Sequence, residues 1–140
     1  MLIVSKNKGL IRKSKRVAAS TFGFDVELDV PEGQPGVYGA SYKGLLDNDI
    51  YKNSKWDLVV ADEAGEARRW YDDTTQQGQM LRDVVANSGK AVYMSATPFH
   101  SPQEYGYLDK LNLWPKGQFD KWIQENFAHE KVGDLSLIHI

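Results

Sequence analysis

Between Trp56 and Glu63 the chain runs Asp57-Leu58-Val59-Val60-Ala61-Asp62, in which Leu58 to Ala61 is an unbroken apolar stretch that closes on two adjacent acids, Asp62 and Glu63. A strand with one wet face alternates polar and apolar residues. A continuous run of this length fits a strand covered on both faces, as in the middle of a parallel sheet. A second run, Ala91-Val92-Tyr93-Met94, reads as another buried strand and leads into Ser95-Ala96-Thr97-Pro98. Between the two, Met80, Leu81, Val84 and Val85 mark one helical face. Thr74-Thr75-Gln76-Gln77 has the form of a capping box in front of that helix, and Gly89 is positioned to stop it. Strand, helix and strand in this order predict an α/β fold with a largely parallel sheet and flanking helices.

The remaining segments extend the same pattern. Leu2-Ile3-Val4 reads as a short buried strand. From Lys8 the period becomes helical, with Leu10, Ser14, Val17 and Ala18 on one face and Lys8, Arg12, Lys15 and Arg16 on another. Asp25 to Val30 alternates strictly, which predicts a half-exposed strand, and Pro31 to Gly36 is turn chemistry. Val37 to Tyr42 predicts a further strand, followed by a helical turn around Leu45 and Leu46. Ser101-Pro102-Gln103-Glu104 has the form of a second capping box with proline at the first helical position, and Leu108 and Leu111 continue that helix. Phe119, Trp122, Ile123 and Phe127 fall at amphipathic helix spacing; with Trp114 they read as packing residues.

Composition narrows the function classes. A length of 140 residues holds one domain, and a net charge of -2 means that affinity for nucleic acid requires a local patch. The absence of cysteine excludes disulfides and thiolate metal sites. His100, His129 and His139 are too scattered to suggest a metal cluster. No apolar run approaches the length of a membrane span, so the expectation is a soluble, cytoplasmic protein with no membrane partner.

The chemistry is concentrated where the two apolar runs end. In open α/β sheets, ligands bind beyond the carboxyl ends of the strands. Asp62, Glu63 and Ser95 to Thr97 lie there if the two strands are parallel neighbours. Nucleotide hydrolysis needs an acid to hold Mg²⁺, usually through water, and a group that positions or deprotonates the attacking water. Asp62 and Glu63 supply one of each.

Asp62-Glu63-Ala64-Gly65 resembles motif II, the DEAD/DEAH box of superfamily 2 helicases, and Ser95-Ala96-Thr97 resembles their motif III. Leu2-Ile3-Val4-Ser5-Lys6 looks like motif Ia, and Ala40-Ser41-Tyr42 sits where related translocases carry a strand before motif II. The stretch from Ser95 through Tyr107-Leu108-Asp109-Lys110-Leu111-Asn112-Leu113-Trp114 is similar to Strawberry notch-type helicases, including those of phage and mobile-element proteins that join a helicase to a methyltransferase. The resemblance implies an incomplete RecA-like P-loop NTPase domain over residues 1–134, the first motor domain of an ATP-dependent DNA helicase or translocase. It implies ATP and Mg²⁺ as cofactors, DNA as partner, and in the parent protein a fused methyltransferase. Asp62 would serve Mg²⁺, Glu63 would activate water, and Ser95, Ala96 and Thr97 would couple hydrolysis to movement.

The sequence departs from that pattern in two places. Gly65 stands where much of the superfamily has His or Asp, which implies a weaker or differently routed relay to motif III. No G-x-x-x-x-G-K-[ST] phosphate loop is present; Gly89-Lys90 is followed by Ala91 and lacks the earlier glycine at Val84. By the resemblance, that loop belongs upstream and a second motor domain with its arginine finger downstream. These 140 residues are therefore not expected to hydrolyse ATP alone.

Other signals stay open. Lys6, Lys8, Arg12, Lys13, Lys15 and Arg16 form an acid-free run that is either a solvated helix face or a set of phosphate contacts, with Ser5 beside it. Trp70 and Tyr71 fit loop packing better than base stacking. Two further functions fit the same pattern: a remodelling translocase on double-stranded DNA, and a non-catalytic interaction module that kept the motor fold. Leu135-Ser136-Leu137-Ile138-His139-Ile140 matches one reading frame through a transposon-end sequencing adapter, so residues 135–140 are expected to be an artefactual tail with no partner strand.

Overall fold

The computed structural model describes residues 1–28, 31, 33–67, 76–96, 101–132 and 135–139. Among them, β1 (Leu2–Ser5), β2 (Tyr38–Ser41), β3 (Trp56–Asp62) and β4 (Ser88–Met94) form one sheet in the order β2-β1-β3-β4. Every pairing in it is parallel: Val4 lies opposite Ala40 on one side and Ala61 on the other, and Asp62 lies opposite Met94. The α/β expectation with a parallel sheet and flanking helices therefore holds.

One face of the sheet carries the main core. Leu2, Val4, Val59 and Ala61 are buried there. They share a cluster with Tyr42 and Leu45 of α2 (Tyr42–Asp47), Tyr51 of α3 (Ile50–Asn53) and Leu81, Val84 and Val85 of α4 (Gln76–Ala86). The predicted apolar face of α4 is thus the packed one, with Met80 only partly buried. Thr74 and Thr75 of its expected capping box lie outside the described residues.

The other face is covered unevenly. The helix α1 (Lys8–Val17) starts at Asn7, whose Oδ1 accepts the Leu10 amide at 3.0 Å. It packs on the sheet through Ile11, not through the expected Leu10, Ser14 and Val17; of that expected set only Ala18, just past its end, is buried. The reason is the bare backbone of Gly39, where a Cβ would strike Ile11 Cγ2 and lie 3.2 Å from Val26 Cγ1. The missing side chain at Gly39 permits this close approach of helix to strand and so favours the rotation of α1 that buries Ile11. On the same face β4 receives no such cover: Val92 and Met94 stay 44% exposed. Its run of apolar residues suggested a buried strand, but β4 is a sheet edge.

Several local expectations change in the folded chain. The alternating segment Asp25 to Val30 does not form a strand over its described part; Glu27 makes a single parallel bridge to Tyr38, and Asp29 and Val30 lie outside the described residues. Val26, beside Gly39, is nevertheless completely buried. Gly89 is not the stop of α4, which ends at Ala86, where the Ser88 hydroxyl donates to the Val85 carbonyl at 2.7 Å. Gly89 instead sits inside β4, where a Cβ would come within 2.9 Å of the Asp57 carbonyl oxygen. Ser101 makes no side-chain capping bond, and the helix after it, Pro102–Leu111, is of the tighter 3-10 type. The helix α5 (Phe119–Asn126) forms as expected, with Trp114 packed 4.7 Å from Phe119 and 4.9 Å from Trp122, ring centre to ring centre.

The tail also differs from expectation. Leu135–His139 forms β6, antiparallel to β5 (Ala128–Val132), so it has a partner strand. The pair is a two-stranded sheet of its own and adds nothing to the four-stranded one. Among the described residues no helix is long and apolar enough to cross a membrane.

Candidate functional site at the carboxyl edge of the sheet

Because the four strands are parallel, their carboxyl ends share one edge: Ser41 ends β2, Ser5 ends β1, Asp62 ends β3 and Met94 ends β4. The chain leaves β1 for β2 on one side and returns as β3 on the other. The strand order therefore reverses between β1 and β3, the kind of crevice in which open α/β sheets bind ligands.

Asp62 stands at that reversal. Its Oδ2 accepts the Ser5 hydroxyl at 3.3 Å, and its Oδ1 accepts the Glu63 amide at 3.0 Å. Its main-chain carbonyl accepts the Tyr42 hydroxyl at 3.0 Å. Ser5 and Tyr42 are buried, while Asp62 is only half-buried. The carboxylate is thus held from behind and open in front, the arrangement a ligand-binding acid needs. Tyr42 is a site residue that sequence reasoning missed. Its signal was its position directly after β2, at the same edge as Ser5 and Asp62.

Glu63 follows with φ 51, a left-handed conformation that a residue with a side chain adopts at a cost of about 1–2 kcal/mol. Its side chain is exposed beside the half-open Asp62. The chain then tightens into the 3-10 turn Ala64–Ala67, where Ala64 and Ala67 are fully buried and Gly65 is buried as well. Gly65 is thus a buried position in this turn, where the helicase pattern has His or Asp.

Ser95 and Ala96 follow β4 directly and are exposed, one step beyond the Met94 that pairs with Asp62. Thr97 lies outside the described residues, as do Trp70 and Tyr71. Asp62 and Ser95 are therefore at the same edge of adjacent parallel strands, with α4 packed over the face between them.

Among the described residues no group of three or more His, Cys, Asp or Glu side chains is placed to hold a metal ion.

The basic run divides into two groups. Lys6, Lys8, Arg12, Lys13 and Arg16 are exposed. Lys8 and Arg12 also line a cleft of about 510 Å³ with Ser41, Asp47 and Asn48 at the carboxyl end of β2. Lys15 does not join them: its ammonium donates to the Val26 carbonyl at 2.8 Å and pairs with Asp25 at 2.9 Å. That ion pair holds the Asp25 carboxyl below its usual range. Ser5, beside this run, is buried, with its hydroxyl turned to Asp62.

No protein-family model matches this chain, and no curated protein matches it.

Proposed function

We propose that the chain is part of the first, RecA-like motor domain of an ATP-dependent DNA helicase or translocase of superfamily 2, similar to Strawberry notch-type helicases and acting in the cytoplasm. The observation that carries this reading is the acid pair at the strand-order reversal: Asp62 anchored by Ser5 and Tyr42, and Glu63 exposed beside it. Asp62 would hold Mg²⁺ on the nucleotide through water, and Glu63 would take the proton of the attacking water. The position of Ser95 beside this pair supports its role, with Ala96 and Thr97, in coupling hydrolysis to movement. The exposed cations Lys6, Lys8, Arg12 and Arg16 would contact DNA phosphates. The phosphate loop and the second motor domain, both required for turnover, would come from the parent protein outside these residues.

The test uses a parent motor that contains both missing parts. Glu63→Gln keeps the size and a hydrogen-bonding carbonyl but cannot accept a proton, so turnover is lost while ATP and Mg²⁺ still bind. Asp62→Asn weakens Mg²⁺-dependent nucleotide binding. Ser95→Ala with Thr97→Ala preserves much of the hydrolysis and impairs strand separation or translocation. Normal turnover in Glu63→Gln would overturn the catalytic assignment.

A further inference from the structure

The basic face of α1 leads into an unusual aromatic feature. Beyond Val17 the chain continues as a π-helical turn, Ala18–Phe22, and Gly23 then reverses it with φ 71. Phe24 thereby returns onto Phe22, with ring centres 6.2 Å apart and planes 23° from parallel. Phe22 is 70% exposed, Phe24 39% and Val17 47%. Lys13 and Arg16 line the same shallow hollow as Val17, Ala19 and Ser20. Leaving a phenylalanine ring in water forgoes much of the roughly 1.5–3 kcal/mol that its burial would contribute.

The surroundings indicate what covers these rings. The helix α1 carries no acid, and Lys8, Arg12, Lys13 and Arg16 are exposed on it, although the chain as a whole has a net charge of -2. Lys8, Arg12 and Arg16 recur every fourth residue, about 6 Å apart along the axis. A polyanion is complementary to this surface. A second copy of the chain docking two-fold through this same face is not, because it would bring two acid-free cationic helices together. A membrane-surface helix needs an apolar face along its whole length, whereas Ile11 is already buried against the sheet.

We propose that Phe22, backed by Phe24, is a base-stacking platform at the end of the α1 phosphate track, and that the nucleic acid bound there is single-stranded. This rests on the nucleic-acid reading of α1 given above and adds the form of the substrate. Paired bases hide their faces inside the duplex, and only an unpaired base can lie on an exposed ring. The cations hold the backbone whatever its sequence, and the ring selects strands whose bases are free.

The experiment titrates the whole chain by fluorescence anisotropy against three labelled probes of equal length: oligothymidylate, an abasic strand and a duplex. The unaltered chain binds oligothymidylate most tightly. Phe22→Ala weakens that binding by roughly 5- to 100-fold, leaves the abasic strand unchanged, and is rescued by Phe22→Trp. Arg12→Ala with Arg16→Ala weakens all three probes and flattens the salt dependence. If Phe22→Ala affects the oligothymidylate and the abasic strand equally or not at all, the platform is wrong while the phosphate track stands. If no probe binds even at low salt, the nucleic-acid reading fails and the platform with it. Phe22-dependent self-association on gel filtration, or Phe22-dependent binding to anionic vesicles in place of oligothymidylate, also overturns the proposal.

Discussion

The hydroxyl of Ser5 donates to Asp62 Oδ2 across 3.3 Å, joining the ends of two neighbouring parallel strands at the point where the strand order reverses. Ser5 is buried, so this bond both satisfies its hydroxyl and limits the freedom of the carboxylate. Ser5→Ala should lower unfolding stability by about 1 kcal/mol, the usual net worth of such a bond. In a complete motor it should also weaken Mg²⁺-dependent nucleotide binding while leaving binding of metal-free nucleotide unchanged. Urea denaturation and nucleotide titrations with and without Mg²⁺ check the two effects. Unaltered stability together with unaltered Mg²⁺ dependence would show that Ser5 does not position Asp62.

Gly39→Ala should destabilise the fold by about 1–3 kcal/mol, because the new methyl group collides with Ile11 where α1 crosses β2. Ile11→Ala removes the colliding atom. The double variant should therefore be more stable than the sum of the single effects predicts, with a coupling of about 0.5–3 kcal/mol. Additive losses in urea midpoints would mean that Gly39 does not set the rotation of α1.

Tyr93 has a buried hydroxyl with no hydrogen-bond partner among the described residues, and burial raises its pKa above the usual tyrosine value. Tyr93→Phe removes the unsatisfied group, so the variant should match or exceed the parent chain's stability by about 1 kcal/mol at neutral pH. The pH dependence has a definite sign. The folded state keeps the phenolic proton where an unfolded tyrosine, with a pKa of about 10, loses it, so stability falls as pH rises above that value. Thermal unfolding across the alkaline range should show a shallower fall for Tyr93→Phe.

The chain by itself should hydrolyse no ATP above background. Without backbone amides around the phosphates and a lysine on them, Asp62 and Glu63 have no oriented substrate. A coupled phosphate-release assay with Mg²⁺ checks this. Turnover that disappears on Glu63→Gln would contradict it.

Removing residues 135–140 should leave the main thermal transition unchanged within error. Of these, Leu135–His139 pairs with Ala128–Val132 in a sheet separate from β1 to β4, and an isolated two-stranded hairpin is marginal in water. A clear drop in Tm would show that the hairpin is coupled to the core.

The sequence alone determined what depends on local pattern. Apolar runs placed β1, β3 and β4, the helical period placed α1, α4 and α5, and the acids at the end of β3 marked the sheet edge as the candidate site. Those features are legible because side-chain period and turn chemistry act within a few residues. Tertiary structure decided which strands became neighbours. Only the order β2-β1-β3-β4 brings Ser5 to Asp62 across 57 positions of sequence and sets the Tyr42 hydroxyl on the Asp62 carbonyl. It also chose Ile11 as the buried face of α1, since apolar residues recur on more than one side of that helix and the gap at Gly39 receives Ile11. It drew Lys15 out of the basic run, because Asp25 and the Val26 carbonyl come within reach of its ammonium. It left β4 half-exposed, because burial is set by what packs over a strand, and an apolar run records only that the strand can be covered.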